Sequence, residues 1–201
     1  MSEIKLGFAL CGSFCTFAPV LEAMEECRRL GYDILPIMTP AASSTDTRFG
    51  KAADFTARIE AICGKPVIRD LPGAEPIGPQ NRTDILLVAP CTGNTIAKLA
   101  NSITDNAVTL AVKSHLRNKR PVVVAVSTND ALSGSARNIG ALLNTRNYYF
   151  VPMGQDDPVK KPTSLVADFQ RIPETLELAL RGRQIQPMLF QRGSSPKIVA
   201  V

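Results

Sequence analysis

The chain has 201 residues, of which 45% are hydrophobic and 20% charged, a composition typical of one globular domain and unlike that of a disordered or fibrous protein. Its net charge of +5 suits a ligand that carries phosphate or carboxylate, but no long basic run or basic stripe with interleaved aromatics occurs, which argues against nucleic acid as a partner. No apolar run has the length of a membrane span and no signal-like segment opens the chain, so we expect a cytoplasmic protein without a membrane partner.

The cysteines are scattered singly along the chain. Their number is odd and no CxxC pair occurs, which argues against a disulfide framework and against a zinc site. We expect reduced, mostly buried thiols and no bound metal. The positions are Cys11, Cys15, Cys27, Cys63 and Cys91.

Apolar runs and segments with helical periodicity alternate from the first residues onward. In chain order the pattern predicts a strand at 4–10, a helix at 17–30, a strand at 32–38, a loop at 39–50, a helix at 52–63, a short strand at 67–68, irregular chain rich in proline and glycine at 71–80, a strand at 84–89, helices at 95–100 and 107–118, a strand at 121–126, a helix at 135–145, a strand at 148–152 and a last helix within 165–180.

Strands this apolar are buried on both faces, and strands that alternate with helices pair in parallel. The sequence therefore predicts an α/β fold, in which a single doubly wound, Rossmann-like parallel sheet carries helices on both faces over residues 1–180. The remaining residues, 181–201, contain basic but no acidic side chains. We expect them to form a tail that serves as an oligomer arm on a neighbouring subunit, with the apolar residues 188–190 in that contact, or that is partly disordered.

The loops that follow the strands are the candidate sites, because ligands of doubly wound sheets bind beyond the carboxyl ends of the strands. After the first strand, Gly12 permits close approach of the backbone, and Ser13 can cap a helix and donate to an anion. After the second, residues 39–48 hold five hydroxyl groups, beginning with Thr39. Gly12, Ser13 and Thr39 are therefore predicted to line an anion site, although a plain helix cap and a solvated loop would explain the same residues.

The loop after the strand at 84–89 is the most specific of the set. Its sequence is APCTGNTIAKLANSITDN at residues 89–106. Pro90 is expected to end the strand ladder, and Asn94 and Thr95 then place an amide and a hydroxyl at the start of a helix. The segment resembles the PxxxNTxxKxAxxxxDN signature of the flavin-binding decarboxylases that act on C-terminal or pantothenoyl cysteine.

The resemblance to these flavin-binding decarboxylases extends roughly over residues 3–150, because the Gly-Ser turn after the first strand and the T-x-x-A pattern of Thr39 and Ala42 match in order and spacing. It implies an FMN cofactor and a homo-oligomer, a trimer or a dodecamer, with the flavin at interfaces between protomers. It also implies which residues surround the flavin ring and its ribityl chain: Pro90, Thr92, Asn94, Thr95, Ser127, Thr128 and Asn129.

Within this superfamily the chain is similar to the B subunits of the dipicolinate synthases of spore-forming bacteria. The matching segments are KLGFALCGSFCTF at 5–17, PIGPQ at 76–80 and PCTGNTIAKLANSITDNAVT at 90–109. The similarity implies a cytoplasmic, FMN-binding oxidoreductase subunit of the sporulation mother cell. Such a subunit would act with a partner, the dipicolinate synthase A subunit, in the oxidation of dihydrodipicolinate to dipicolinate.

The chain departs from the decarboxylase pattern at two places. Pro76 and Ile77 stand where those enzymes carry a catalytic histidine, and residues 127–130, Ser-Thr-Asn-Asp, replace their Pro-x-Met-Asn loop. The single histidine, His115, lies in a charged segment and is predicted to be on the surface. No catalytic residue is therefore assigned. Three functions stay open: an FMN-binding subunit in dipicolinate synthesis, a flavin-dependent decarboxylase or flavin-modifying enzyme, and a non-catalytic structural partner with a vestigial flavin pocket.

Overall fold

One sheet organises the part of the chain that the computed structural model describes, residues 3–190. Its strands are β1 (Lys5–Leu10), β2 (Asp33–Met38), β3 (Ile85–Cys91), β4 (Val122–Thr128), β5 (Tyr148–Phe150), β6 (Met153–Gly154) and β7 (Leu165–Ala167). The helices are α1 (Phe17–Arg29), α2 (Pro40–Ser44), α3 (Ala52–Cys63), α4 (Leu71–Ala74), α5 (Gly93–Ala100), α6 (Ala107–Arg117), α7 (Ala136–Leu143) and α8 (Ile172–Leu180), with 3₁₀ turns at Phe14–Thr16, Glu75–Ile77 and Phe169–Arg171. Within this range no helix has the length and apolarity needed to cross a membrane.

The sheet is parallel over its main part and ends in a short antiparallel hairpin. Its strands run in the order β2-β1-β3-β4, with β5 beside the first half of β4, and all of these pairs are parallel. β7 pairs antiparallel with the end of β4, at Ser127 and Thr128, and β6 pairs antiparallel with β7. The predicted α/β, Rossmann-like fold is confirmed, although the hairpin departs from the expected all-parallel sheet.

Helices cover both faces of the sheet because its strands are apolar on both sides. Successive residues of β1 face opposite layers: Phe8 joins the core formed with α1, α3 and α8, whereas Ala9 joins the core formed with α5, α6 and α7. All seven residues of β3 are buried. The strand order reverses at β1, since β2 lies on one side of it and β3 on the other. A crevice beyond the ends of β1 and β3 is therefore the expected ligand position.

Two segments that were expected to be irregular form short helices. In residues 39–50, the hydroxyl of Thr39 caps α2 by accepting the amide of Ala42 at 3.3 Å. In residues 71–80, α4 follows the carboxylate of Asp70, which accepts the amide of Gly73 at 2.8 Å. A proline stands in the first turn of each helix, where its missing N–H costs no hydrogen bond. These prolines therefore mark helix starts rather than irregular chain.

The tail lies against its own domain up to residue 190. The amide of Met153 in β6 donates to the carbonyl of Met188 at 2.9 Å, and the amide of Phe190 donates to the carbonyl of Met153 at 3.2 Å. Met188 packs against the core layer of α5, α6 and α7, whereas Leu189 is 62% exposed. This apolar patch was expected to pack on a neighbouring protomer. For Met188 that expectation is wrong, because the tail pairs with the edge of β6 and Met188 packs on its own domain. The predicted arm beyond it, 191–201, lies outside the described residues and stays a prediction.

The cysteines are free thiols, of which Cys15 is exposed and the other four are buried, in line with the expected burial. Burial raises the pKa of Cys27 and of Cys63 to about 12. Both thiols therefore stay protonated at neutral pH and act as small apolar side chains in the core.

His115 is buried, which corrects the surface position expected from its charged neighbours. It is 1% exposed and lies on α6, four residues after Ala111 and seven after Val108, on the apolar stripe of that helix. One ring nitrogen, Nδ1, lies 3.1 Å from the hydroxyl of Thr83, and Nε2 lies 2.9 Å from the carbonyl of Pro121. A neutral imidazole satisfies both contacts when Nδ1 accepts from the hydroxyl and Nε2 donates to the carbonyl.

Acid is expected to destabilise the protein through His115. Burial lowers the pKa of the folded-state imidazole to about 4, from the ordinary value of 6.5 that applies to the unfolded chain. Between these values the unfolded chain binds the additional proton, so a stability contribution of about 3 kcal/mol is present above the unfolded pKa and is lost as the pH falls toward the folded one. Urea unfolding of the parent and of His115→Gln across this window measures it. As the pH falls through this window, the free energy of unfolding of the parent should decrease more than that of His115→Gln. A difference between the two free energies that does not change with pH would contradict the role of His115.

Candidate functional site

A cleft of about 1380 Å³ opens where β1, β3 and β4 end. This is the edge at which ligands of doubly wound sheets bind. The volume exceeds the range of about 300–1,000 Å³ that is typical of small-molecule pockets, so the cleft can hold a cofactor together with a substrate. Six of the predicted site residues lie on its wall: Gly12, Ser13, Thr92, Ser127, Thr128 and Asn129.

The other four predicted residues lie outside the described wall of the cleft. Thr39 is 6% exposed and caps α2. Pro90 is part of β3, which continues to Cys91 after a register shift, so the expectation that this proline ends the strand ladder is wrong. Thr95 is buried behind Thr92, with 3.4 Å between their hydroxyls. Asn94 is exposed in the first turn of α5. Contact of these four residues with a ligand stays a prediction.

Hydroxyl groups join the loops that follow β1 and β4. The hydroxyls of Ser13 and Ser127 lie 2.9 Å apart, and the hydroxyl of Thr16 donates to the carbonyl of Ser13 at 2.8 Å. The amides of Phe14 and Cys15 begin the 3₁₀ turn and so have no acceptor within it. The loop after β1 therefore offers hydroxyl and amide donors together, a set that suits a phosphate group or a polyol chain.

Asp130 organises the loop that follows β4. Its carboxylate accepts the hydroxyl of Thr128 at 2.6 Å and that of Ser135 at 3.0 Å. A Cβ on Gly93, at the start of α5, would lie between 2.6 and 2.9 Å from oxygen atoms of these three side chains. The loops after β3 and β4 can therefore meet only because position 93 has no side chain.

The outer wall of the cleft was not predicted from the sequence. It is formed by α1, by the loop 155–164 between β6 and β7, by residues 166–170 with Pro173, and by Phe190 of the tail. Its charged side chains, among the described residues, are Glu22, Glu26, Asp156, Lys161 and Asp168. Four carboxylates thus share this wall with one ammonium group. The strands that position the loop are too short to show a two-residue period, and the turn signal Asp157-Pro158 was the available clue.

Two buried thiols lie beneath the cleft. Cys11 follows β1 and Cys91 ends β3, and neither is more than 1% exposed. Burial raises the pKa of the Cys91 thiol, and a hydrogen bond from Cys91 lowers the pKa of Cys11. Neither residue is on the wall, so both belong to the packing that supports the site.

Comparison with known proteins places this architecture in a family. The sequence model of the family described as Flavoprotein matches residues 1–164. The chain belongs to the flavoprotein family. The dipicolinate synthase B subunit of Bacillus subtilis (strain 168) is 44% identical over 194 residues, which make up 95% of this chain and 97% of that protein.

Solved structures agree with the assignment to the flavoproteins. The crystal structure of the dipicolinate synthase B subunit from Bacillus halodurans C superimposes with a TM-score of 0.86 at 44% identity, covering 95% of this chain and 99% of that one. The FMN-dependent cysteine decarboxylase SpaF gives a TM-score of 0.69 at 23% identity, covering 89% and 97%, and this similarity shows a shared fold alone. The similarity to dipicolinate synthase B subunits that was predicted from the sequence is confirmed.

The cleft of this flavoprotein fits a flavin. Neutral hydroxyl groups line the ends of β1 and β4: those of Ser13 and Ser127, and that of Thr128, whose hydrogen is donated to Asp130 and whose oxygen can accept from a ligand. A polyol chain or an anionic group meets no carboxylate repulsion from these side chains, and the hydroxyls can hydrogen-bond to it. The residues present are therefore compatible with the cofactor that the family implies.

Two glycine substitutions test how the site loops meet. Gly93→Ala is expected to cost about 1–3 kcal/mol of unfolding free energy, because its Cβ forces the Asp130 network apart. Gly140→Ala in α7 is the matched control, since its Cβ would meet nothing within 4 Å. That change should stabilise the helix by about 0.5–1 kcal/mol. Urea unfolding measures both, and equal effects of the two substitutions would refute the close packing at position 93.

Proposed function

We propose that the chain is the FMN-binding subunit of a dipicolinate synthase. In this proposal it takes part in the oxidation of dihydrodipicolinate to dipicolinate in the cytoplasm during sporulation, together with the partner A subunit. The observation that carries the proposal is the similarity to the dipicolinate synthase B subunit, which extends over 95% of this chain and 97% of the Bacillus subtilis protein. The donor-lined cleft beyond β1, β3 and β4 supports it independently.

The flavin in this proposal spans the loops at the ends of the parallel strands. Its phosphate would lie against Gly12, Ser13 and Thr39, where the 3₁₀ turn after β1 begins with free amides. The ring and ribityl chain would lie between two loops, one with Pro90, Thr92, Asn94 and Thr95 and the other with Ser127, Thr128 and Asn129. The contact between the hydroxyls of Ser13 and Ser127, 2.9 Å apart, supports this placement, because it joins the loops after β1 and β4 where the phosphate and the adjoining ribityl chain would meet.

The reaction in this proposal is an aromatisation. The dihydropyridine ring loses a hydride and a proton and becomes a pyridine, and a bound flavin supplies the hydride acceptor. The protein's own groups bind the substrate, orient its ring and exclude water. The cleft is open in a single copy of the chain, so a homo-oligomer, a trimer or a dodecamer, or the partner protein would complete its cover. The dodecameric assembly of a flavin-dependent relative from Escherichia coli O157:H7 supports such cover.

A decarboxylase acting on cysteine is the second candidate, favoured by the shared fold of SpaF. The position of the single histidine speaks against it. His115 bonds to Thr83 and Pro121, which precede β3 and β4, so it lies at the end of the sheet opposite the cleft. Pro76 and Ile77, where a catalytic histidine is expected, sit in a 3₁₀ turn.

Cofactor binding separates a working site from a vestigial one. The purified chain is expected to be yellow, or to take up FMN when titrated, as followed by quenching of FMN fluorescence. Ser13→Ala should weaken FMN binding about tenfold through the loss of one hydrogen bond. Thr145→Ala is the control, since its exposed hydroxyl bonds within the last turn of α7. No uptake by the parent would favour the structural-partner alternative.

Dependence on the partner is tested by turnover. We expect conversion of dihydrodipicolinate to dipicolinate when this chain is mixed with the A subunit, and none with this chain alone, because the cleft is open and no described residue of its wall is a histidine. The absorbance of dipicolinate reports the product. Full activity of this chain alone would overturn the role of the partner, and full activity of the partner by itself would remove this chain from the chemistry.

A further inference from the structure

The outer wall of the cleft, over its described residues, contains one cation. Lys161 is the single Lys or Arg among them. It shares the wall with four carboxylates, of which Asp156 pairs with Lys161 itself and Glu26 pairs with Arg29, while Glu22 and Asp168 have no ion pair among the described residues. A dicarboxylate that enters the cleft therefore meets repulsion from the unpaired carboxylates of Glu22 and Asp168. Its favourable charged contact has to come from the ammonium group of Lys161.

The ammonium of Lys161 is held in place yet remains available. Its Nζ lies 3.0 Å from Oδ2 of Asp156, whose side chain is 17% exposed and so forms a covered anchor. An ammonium has three N–H donors, and this contact uses one of them. The side chain of Lys161 is 50% exposed and lines the cleft, so a ligand there can reach it. The hydrogen bond to Asp156 raises the pKa of Lys161, which keeps its charge at neutral pH.

The loop that carries Lys161 is held in one conformation by hydrogen bonds. The amide of Lys161 donates to the carbonyl of Asp157 at 2.8 Å, and the amide of Ser164 donates to the carbonyl of Lys161 at 3.0 Å. The loop is also fastened to the cofactor side of the cleft, because the hydroxyl of Thr163 donates to the carbonyl of Asn129 at 2.6 Å. Lys161 thus stands at a fixed position beside the loop proposed to contact the flavin.

We propose that Lys161 is the specificity-determining residue that binds a carboxylate of a ring dicarboxylate in this cleft. The proposal rests on the proposed function, which places dihydrodipicolinate beside the flavin. The other anion that could reach an ammonium here is the flavin phosphate. The loop after β1 already offers hydroxyl and amide donors for that group, whereas the described residues of the outer wall offer the carboxylate of a substrate no other cation.

The test is a binding titration on the full chain loaded with FMN. Dipicolinate is titrated into the parent, Lys161→Ala, Lys161→Arg and Lys160→Ala, and binding is followed by calorimetry. We expect Lys161→Ala to weaken dipicolinate binding about tenfold, as for the loss of one charge-assisted hydrogen bond. Lys161→Arg should restore much of the affinity. Lys160→Ala should match the parent, because Lys160 is exposed and lies outside the wall of the cleft.

Binding of FMN and of riboflavin, which lacks the phosphate, to the same variants shows whether Lys161 binds the flavin phosphate or the carboxylate of the substrate. If Lys161 serves the substrate, Lys161→Ala binds both flavins like the parent. A loss of FMN affinity with unchanged riboflavin affinity would assign Lys161 to the phosphate and overturn the proposal. Equal dipicolinate affinity in the parent and in Lys161→Ala would overturn it as well, while leaving the proposed function intact. A parent that holds FMN but binds no dipicolinate would overturn both the substrate class and the role of Lys161.

Discussion

Burial of the central strands on both faces is the constraint on which the rest of this structure depends. Every residue of β3 is buried, and β1 and β4 are apolar almost to their last residues. Such strands leave no room for polar side chains along their length, so polar groups gather where the strands stop. Because β1, β3 and β4 are parallel, they stop at the same edge. The contact between Ser13 and Ser127 is a direct result of that convergence.

The same constraint explains how much could be predicted from the sequence. The helix predicted at 52–63 has the bounds of α3, because its apolar period and its glycine end are both local signals. Gly12 and Ser13 were predicted as site residues because they follow an apolar strand, and Ser127 was implied by the family resemblance. Parallel pairing then brings these positions together at one edge of the sheet. Local pattern and global fold agree for this half of the cleft.

The other half depends on contacts that no local pattern contains. β6 and β7 have two and three residues, and their pairing with the end of β4 is decided by the tertiary structure. Lys161 reaches the cleft only through that hairpin. The requirement for glycine at position 93 likewise follows from the oxygens of Asp130 and Ser135, which are distant in sequence. His115 is a different case, because the helical period of α6 indicated its burial and the charges beside it obscured that signal.

The strand-end side of the cleft is neutral and its outer wall is charged, and this difference affects which anions the cleft binds. The donors at the strand ends are neutral, so they hold a ligand through several hydrogen bonds of modest strength. The unpaired carboxylates of the outer wall, Glu22 and Asp168, repel anions, whereas Lys161 binds an anion whose geometry brings it within contact. An exposed ion pair in water contributes little by itself. A ligand that fills the cleft displaces that water, and the lower local dielectric strengthens both the repulsion and the favourable contact with the lysine. Selection among anions therefore arises from the carboxylates and the lysine acting together, and it grows as the cleft becomes more completely covered.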